Sequence, residues 1–164
     1  MKRLVLLVLA TSILIYAQEG WVRWHGNEEA DVGYSICEAH DNGWLITGFT
    51  YNYEDLWIVR LDTLGDTLWT RQYGGGYRQL GMCIHPMSDG NYIISGEDAY
   101  KIWLLMINEY GDTLWTRVIT IEDFEIKEGG GKWLEITNDD GFIITGYGEK
   151  YGDRTHRAFL VKTD

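Results

Sequence analysis

Proline, cysteine, alanine and positive charge are all scarce in this chain. Its 164 residues include 1 proline and 2 cysteines, and 14 lysines and arginines stand against 25 aspartates and glutamates, for a formal net charge of −11. Such an acidic surface opposes binding to nucleic acid or to anionic lipid. Alanine is rare after residue 17 and no stretch keeps a long 3.6-residue period, so we expect little helix.

The N-terminal residues are typical of a secretory signal peptide. Lys2 and Arg3 form a basic start, residues 4–16 form an apolar run too short to span a bilayer, and Ala17 is a small residue at the expected cleavage point. We therefore predict a signal peptide at 1–17 and a secreted protein of the extracellular space or cell envelope, with no membrane association after cleavage. A retained N-terminal anchor is the alternative.

The rest of the chain is built from repeats. The heptapeptide GDTLWTR occurs at 65–71 and again at 111–117. The segments DNGWLITG, DGNYIISG and DDGFIITG end at Gly48, Gly96 and Gly146, about 50 residues apart, which is a period typical of repeat architectures. Each of these glycines is followed, before the next repeat begins, by a matching block: WIVRLD, WLLMIN and FLVKTD.

Each repeat contains four short segments rich in β-branched and aromatic residues, separated by Gly, Asp and Asn. The sequence therefore predicts an all-β fold of four-stranded antiparallel blades, as in a β-propeller, in a single domain at 18–164. The three repeats cover about 31–76, 77–123 and 124–164. Asn42-Gly43, Asp89-Gly90 and Asp140-Gly141 predict tight two-residue hairpins, and the Trp of each GDTLW segment is expected to wedge between blades.

The first and last strands complement each other. WVRWHG at 21–26 matches WTRQYG at 69–74, which is a fourth strand, whereas the third repeat stops after its third strand. We predict 21–26 as the fourth strand of the last blade. Because propellers usually have four to eight blades, three alternatives stay open: a fragment of a longer propeller, a six-bladed ring of two chains that exchange this strand, or an open array.

The cysteines and histidines give no sign of a reactive centre. Cys37 and Cys83 fall on the same face of their first strands, whereas adjacent blades pack through opposite faces, so two buried free thiols are expected. The four histidines occupy unrelated repeat positions. We predict no catalytic residue, no metal site and no cofactor.

The connections between the second and third strands are rich in tyrosine and acid. They should lie on one rim of the blades, where such side chains can bind a glycan or a partner protein; the alternative is that they serve solubility. The predicted rim residues are Tyr51, Tyr53, Asp55, Tyr100, Tyr147 and Tyr151.

The pattern GYSI, DNGWLITG, DLWIVRLD, GDTLWTRQYGG resembles the tandem blade repeats of secreted bacterial propeller proteins, many of which carry a sorting domain for type IX secretion. The spacing of Asp62, Gly65 and Trp69 is also distantly similar to the tryptophan-docking motif of quinoprotein propellers and to the Asp-box hairpin of sialidases. The resemblance implies a fold and an export route but no activity. We expect a non-catalytic binding or scaffolding protein; the alternative is a fragment of a glycan-active or quinone-dependent propeller enzyme.

Overall fold

The structure is a computed structural model that describes residues 21–26, 30–51, 54–120, 124–125, 130–150 and 155–164. Its first sheet contains β1 (Asp31–Glu38), β2 (Trp44–Thr50), β3 (Asp55–Leu61) and β4 (Thr67–Tyr73), side by side in chain order. Every neighbouring pair is antiparallel.

The second and third sheets repeat this arrangement. The second contains β5 (Gln79–Pro86), β6 (Tyr92–Asp98), β7 (Lys101–Ile107) and β8 (Thr113–Ile119), again in chain order. In the third, β10 (Gly131–Ile136), β11 (Phe142–Lys150) and β12 (His156–Thr163) follow one another, and the two-residue β9 (Phe124–Glu125) pairs with the end of β11.

The predicted all-β fold of repeated antiparallel sheets is confirmed. The described residues form no helix, and the GDTLWTR segments become β4 and β8, the outer strands of their sheets. None of the described residues belongs to a helix long and apolar enough to cross a membrane.

The hairpins are tight, but they are not the two-residue primed turns that the Asn-Gly and Asp-Gly pairs predict. After β1 the Ala39 carbonyl accepts from Asn42 N, and Ala39 N donates to the Gly43 carbonyl, so the loop has three residues. Its last residue has positive φ, as in a type I turn followed by a left-handed residue. The same pattern recurs in the other strand one–two and strand three–four hairpins, with positive φ at Gly65, Gly90, Gly111 and Asp140.

The glycines that end the repeated segments lie where two neighbouring strands approach each other closely. A Cβ at Gly48 or Gly96 would collide with the backbone carbonyl of Val32 or Leu80 on the preceding strand, next to a bulge. Only glycine permits this spacing, which explains why the residue recurs at this point of each repeat.

Two apolar junctions join the sheets. Between the first and second, Leu45, Leu56 and Ile58 are fully buried, and Trp69 from β4 packs at the margin of this cluster. Between the second and third, Leu104, Leu134 and Ile144 lie in a matching cluster. Trp115, the counterpart of Trp69, contacts Phe142 with ring centroids 6.3 Å apart. Both tryptophans therefore lie between sheets, as the wedge prediction requires.

Segment 21–26 forms no strand in this single chain. It lies beside the β3–β4 turn of the first sheet, and among the described residues β12 pairs only with β11. In this structure of a single chain, segment 21–26 therefore does not complete the last sheet, as the sequence predicts it to do. Both cysteines are free, as expected, with Cys83 buried and Cys37 half-buried.

Candidate binding surface on the loop rim

The antiparallel order of the strands brings two kinds of loop to one end of each sheet. Strand two ends and strand three begins there, and strand four also ends there before the chain enters the next sheet. We call this end the rim. The inter-sheet connection 74–78 and the β6–β7 turn at Ala99 and Tyr100 therefore lie together on it.

Two tyrosines form an aromatic pair on the rim. Tyr77 is 65% exposed, and its ring centroid lies 6.3 Å from that of Tyr100, with the two hydroxyl oxygens 3.5 Å apart. Tyr100 and Ala99 both have positive φ, since they are the two central residues of a tight turn that pairs Asp98 with Lys101. This uncommon backbone fixes the direction of the Tyr100 side chain. The hydrogen bond between Tyr100 and Tyr77 also raises the pKa of the Tyr100 phenol.

Arg78 holds this pair in place. Its guanidinium carbon lies 5.2 Å from the centre of the Tyr100 ring, its Nε donates to Glu97 Oε1 at 2.6 Å, and its Nη1 lies 3.9 Å from Glu54 Oε2. Burial lowers the pKa of Arg78, but the hydrogen bond and charge of Glu97, with the charge of Glu54, raise it more. Glu97 is fully buried, so Arg78 neutralises a carboxylate that would otherwise be costly. Arg78 thus ties the first and second sheets together at the rim.

A second aromatic group lies on the third sheet. Lys132 Nζ is 5.6 Å from the centre of the Tyr147 ring, and that ring meets His156 edge-on with centroids 5.4 Å apart. Burial lowers the pKa of Lys132, the charge of Glu97 raises it, and the charge of Arg78 lowers it. The net effect is a pKa of Lys132 below its ordinary value.

The predicted rim residues divide into four sets. Tyr100 and Tyr147 belong to the two groups above. Tyr51 is 58% exposed and packs on Phe49 with ring centroids 5.1 Å apart. Asp55 is almost buried and accepts a hydrogen bond from Gly75 N at 2.9 Å, so its carboxylate fixes the inter-sheet loop. Tyr53 and Tyr151 lie outside the described residues.

Sequence reasoning missed Tyr77 and Arg78. Both belong to the connection after the fourth strand, whereas the prediction considered only the connections between the second and third strands. The signal was present: in a four-stranded antiparallel sheet the end of strand four lies at the same end as the end of strand two.

Other candidate chemistry in the described residues is sparse. They contain no group of three His, Cys, Asp or Glu side chains placed to hold a metal ion. Burial raises the pKa of Cys37 to about 12 and also raises that of Cys83, so both thiols are poorly nucleophilic.

A cavity of about 500 Å³ beside β1 includes Tyr34, Ser35 and Trp133 in its lining. Ser35 Oγ accepts from Ile84 N, so this hydroxyl already serves the junction of two sheets.

Comparison with known proteins assigns no function to the chain. No protein-family model and no curated protein matches the chain. One similar solved structure is that of a protein of unknown function from Bacteroides caccae, with a TM-score of 0.48 and 12% identity, covering 79% of this chain and 46% of that protein. The chain thus spans about half the length of that protein. What can be said of function therefore depends on the rim itself.

Proposed function

We propose that this chain is a secreted, non-catalytic, propeller-type repeat protein, related to the bacterial tandem-repeat propellers, that binds carbohydrate on its rim. The observation that carries the proposal is the Tyr77–Tyr100 pair, two adjacent aromatic rings of which one is largely exposed. Aromatic rings offer a flat apolar face with a polar hydroxyl at the edge, which suits a sugar ring with its hydroxyl groups. The turn and Arg78 hold Tyr100 in place, so little conformational entropy is lost on binding.

The charges around the pair favour a neutral sugar. Arg78 and Lys132 are positive, whereas Glu97 and Glu54 are negative, and Arg78 is engaged by both carboxylates. The two positive and two negative charges of this cluster therefore cancel, although the formal net charge of the protein is −11. An acidic glycan would be repelled by the rest of the surface, so neutral oligosaccharides are the expected ligands.

A glycan array followed by titration of any hit tests this proposal. We expect Tyr77→Ala and Tyr100→Ala each to weaken binding of a neutral oligosaccharide by about tenfold or more, as hot-spot aromatics do. Tyr110→Ala is the matched control, because Tyr110 is 63% exposed but lies in the β7–β8 turn at the opposite end of the sheet. Its affinity should equal that of the unaltered chain.

An array without hits, or equal loss in all three variants, would contradict carbohydrate binding at this pair. A protein ligand that depends on Tyr77 but not on Tyr110 would contradict the sugar while keeping the surface. Tyr51→Ala probes another part of the rim, since Tyr51 packs on Phe49; its affinity should stay unchanged if the sugar binds the Tyr77–Tyr100 pair.

A further inference from the structure

We infer that the protein binds a calcium ion where the first and second sheets meet at the rim, between the carboxylate of Asp55 and the side-chain oxygen of Gln79. Two features of the described residues carry the inference. They are a buried carboxylate without a basic partner and a buried amide oxygen without a hydrogen-bond donor. The inference does not depend on the proposed carbohydrate binding, because its tests measure calcium and unfolding alone.

The first feature is the burial of Asp55, the first residue of β3. Asp55 is only 9% exposed, and its Oδ1 accepts a hydrogen bond from Gly75 N at 2.9 Å. Among the described residues Asp55 forms no ion pair, and the nearby Arg78 is engaged by Glu54 and Glu97. A buried carboxylate is costly unless a positive charge compensates it. Asp55 therefore lacks the partner that its burial calls for.

The second feature is the side chain of Gln79, the first residue of β5. Gln79 is 8% exposed, and its Nε2 donates to Asp98 Oδ1 at 2.8 Å. Its buried Oε1 has no donor within the part of the chain that the structure describes. A Cβ built on Gly74 would lie 3.0 Å from this oxygen and 2.5 Å from Asp55 Oδ1. Two acceptors, one of them charged, therefore lie beside the same point.

Exchanging the two ends of the Gln79 amide does not remove this problem. A glutamine amide donates only from its nitrogen, and its oxygen only accepts. With the ends exchanged, Nε2 would point to Asp55, and Oε1 would lie against Asp98 Oδ1. In either orientation one aspartate lies against an oxygen, and a cation between the two atoms would satisfy both.

The charges at this end of the junction favour a divalent cation over a water molecule. A water molecule could donate to both oxygens, but it would leave the charge of the carboxylate uncompensated. The acidic and basic residues around the Tyr77–Tyr100 pair cancel, and Asp55 and Asp98 form no ion pair in the described ranges. These two aspartates therefore add two negative charges, which one divalent cation balances.

Calcium is the divalent cation that suits these ligands. Ca²⁺ is bound by carboxylate, amide and backbone oxygens together with water, in flexible geometry. The connection 74–76 consists of glycine, and the positive φ of Gly74 and Gly75 lets the backbone pass close to both oxygens. The described residues hold no group of three acidic, histidine or cysteine side chains for a metal. The site therefore depends on the amide oxygen, which explains why the sequence does not predict it.

Thermal unfolding of the purified protein is the first test. After removal of metal with a chelator, calcium chloride at about 10 mM should raise Tm by about 3–6 °C, as expected for a site of roughly millimolar affinity. Magnesium at the same concentration controls for general screening of an acidic protein. It should give a much smaller rise, because Mg²⁺ demands a near-ideal octahedral shell. No rise with calcium, or an equal rise with both ions, would overturn the inference.

Asp55→Asn distinguishes ion binding from folding. Asparagine keeps the oxygen that accepts from Gly75 N but removes the charge. We therefore expect the calcium affinity, measured by titration calorimetry, to fall by at least about tenfold, while the calcium-free chain stays as stable as the unaltered one. Asp62→Asn is the matched control, because Asn108 makes the same turn hydrogen bonds in the second sheet. An Asp55→Asn chain that binds calcium as tightly as Asp62→Asn would contradict the site.

Gln79→Glu distinguishes the ion from a bound water molecule. The substitution places a third carboxylate beside Asp55 and Asp98, so the calcium-free chain should be less stable than the unaltered one. Calcium should restore its stability and bind more tightly than to the unaltered chain, since affinity rises with the charge of the ligands. A Gln79→Glu chain that calcium does not restore would show that a water molecule occupies this place. Circular dichroism of every variant establishes that it is folded.

Discussion

The second and third sheets have the same strand order and the same repeat sequence, yet their environments differ. The second sheet is covered on both faces, so Leu104 is 1% exposed, whereas the outward face of the third leaves Leu160 70% exposed. The apolar residue stands at the same register position in both sheets. Repeat identity therefore fixes where a side chain points, and the presence of a neighbouring sheet decides whether it is buried. The predictions below probe this difference.

The largest effect is expected from truncating the leucine at this shared position. Leu104→Ala removes a fully buried side chain from the junction of the second and third sheets and should cost about 2–5 kcal/mol of unfolding free energy. Leu160→Ala should change it by less than about 0.5 kcal/mol in a chain dilute enough to be single, since its side chain is already solvated. Urea denaturation measures both values. Equal losses of unfolding free energy in the two variants would contradict a third sheet that is buried on one face only.

A smaller loss of unfolding free energy is expected when a methyl group is added where β5 and β6 approach each other closely in the second sheet. Gly96→Ala places a methyl group against the Leu80 carbonyl and should destabilise the fold by about 1–3 kcal/mol through overpacking. Ala158→Ser is the control in the third sheet, where the added oxygen points to solvent. Thermal unfolding of both variants tests the contrast. A Gly96→Ala chain as stable as Ala158→Ser would show that the strands are not in close contact at this glycine.

The turn between β7 and β8 should give a still smaller effect. Asn108 Oδ1 accepts hydrogen bonds from Tyr110 N at 3.0 Å and Asp112 N at 2.9 Å. Asn108→Ala should cost about 1 kcal/mol, the usual net value of such a bond. Asn108→Asp keeps the acceptor and should cost less, as Asp62 makes the same two bonds in the first sheet. If Asn108→Asp lowered the denaturation midpoint as much as Asn108→Ala, or more, the role of Asn108 as the hydrogen-bond acceptor of this turn would be contradicted.

The smallest effect concerns a surface aspartate of the third sheet. Hydrogen bonds from Thr137 and then Lys162 lower the pKa of Asp139 to about 2. Because this pKa lies below the ordinary value of 3.8, the carboxylate stabilises the folded state above that value, and the contribution is lost as pH falls toward 2. Thr137→Ala should raise the pKa of Asp139 more than Lys162→Met does. Carbon-detected NMR titration measures the shifts, and an unchanged pKa in both variants would contradict the assigned causes.

Aspartates at the same position as Asp139 show how a repeat position can be reused. Asp41 binds Arg60 in the first sheet, where the Arg60 hydrogen bond and then that of Gly43 lower the pKa of the carboxyl. In the second sheet Met106 stands at the position of Arg60, and Asp89 accepts hydrogen bonds from Asn91 instead. Hydrogen bonds within the turn are enough to hold the aspartate in place. An ion pair forms in addition only where the adjacent strand carries a basic residue.

Much of the fold was predictable because strand periodicity and turn residues are local signals. The repeated segment DNGWLITG leads into β2 (Trp44–Thr50), and the GDTLWTR repeats lie in the strands β4 and β8. The turn type was not predictable from dipeptides, since the left-handed residue is Asn42 in one repeat and Gly90 in the next. The site was only partly predictable. Tyr100 could be found from its connection, but its pairing with Tyr77 and Arg78 depends on how neighbouring loops meet in space.

Thiol labelling at the shared register position tests the central claim most directly. In a chain whose own cysteines are replaced by alanine, Ile58→Cys, Leu104→Cys and Leu160→Cys are each exposed to a fluorescent maleimide at high dilution, under native conditions. The account predicts rapid labelling at position 160, and labelling at 58 and 104 only at the rate of unfolding. Equal rates at all three positions would contradict the arrangement of three sheets with one open face.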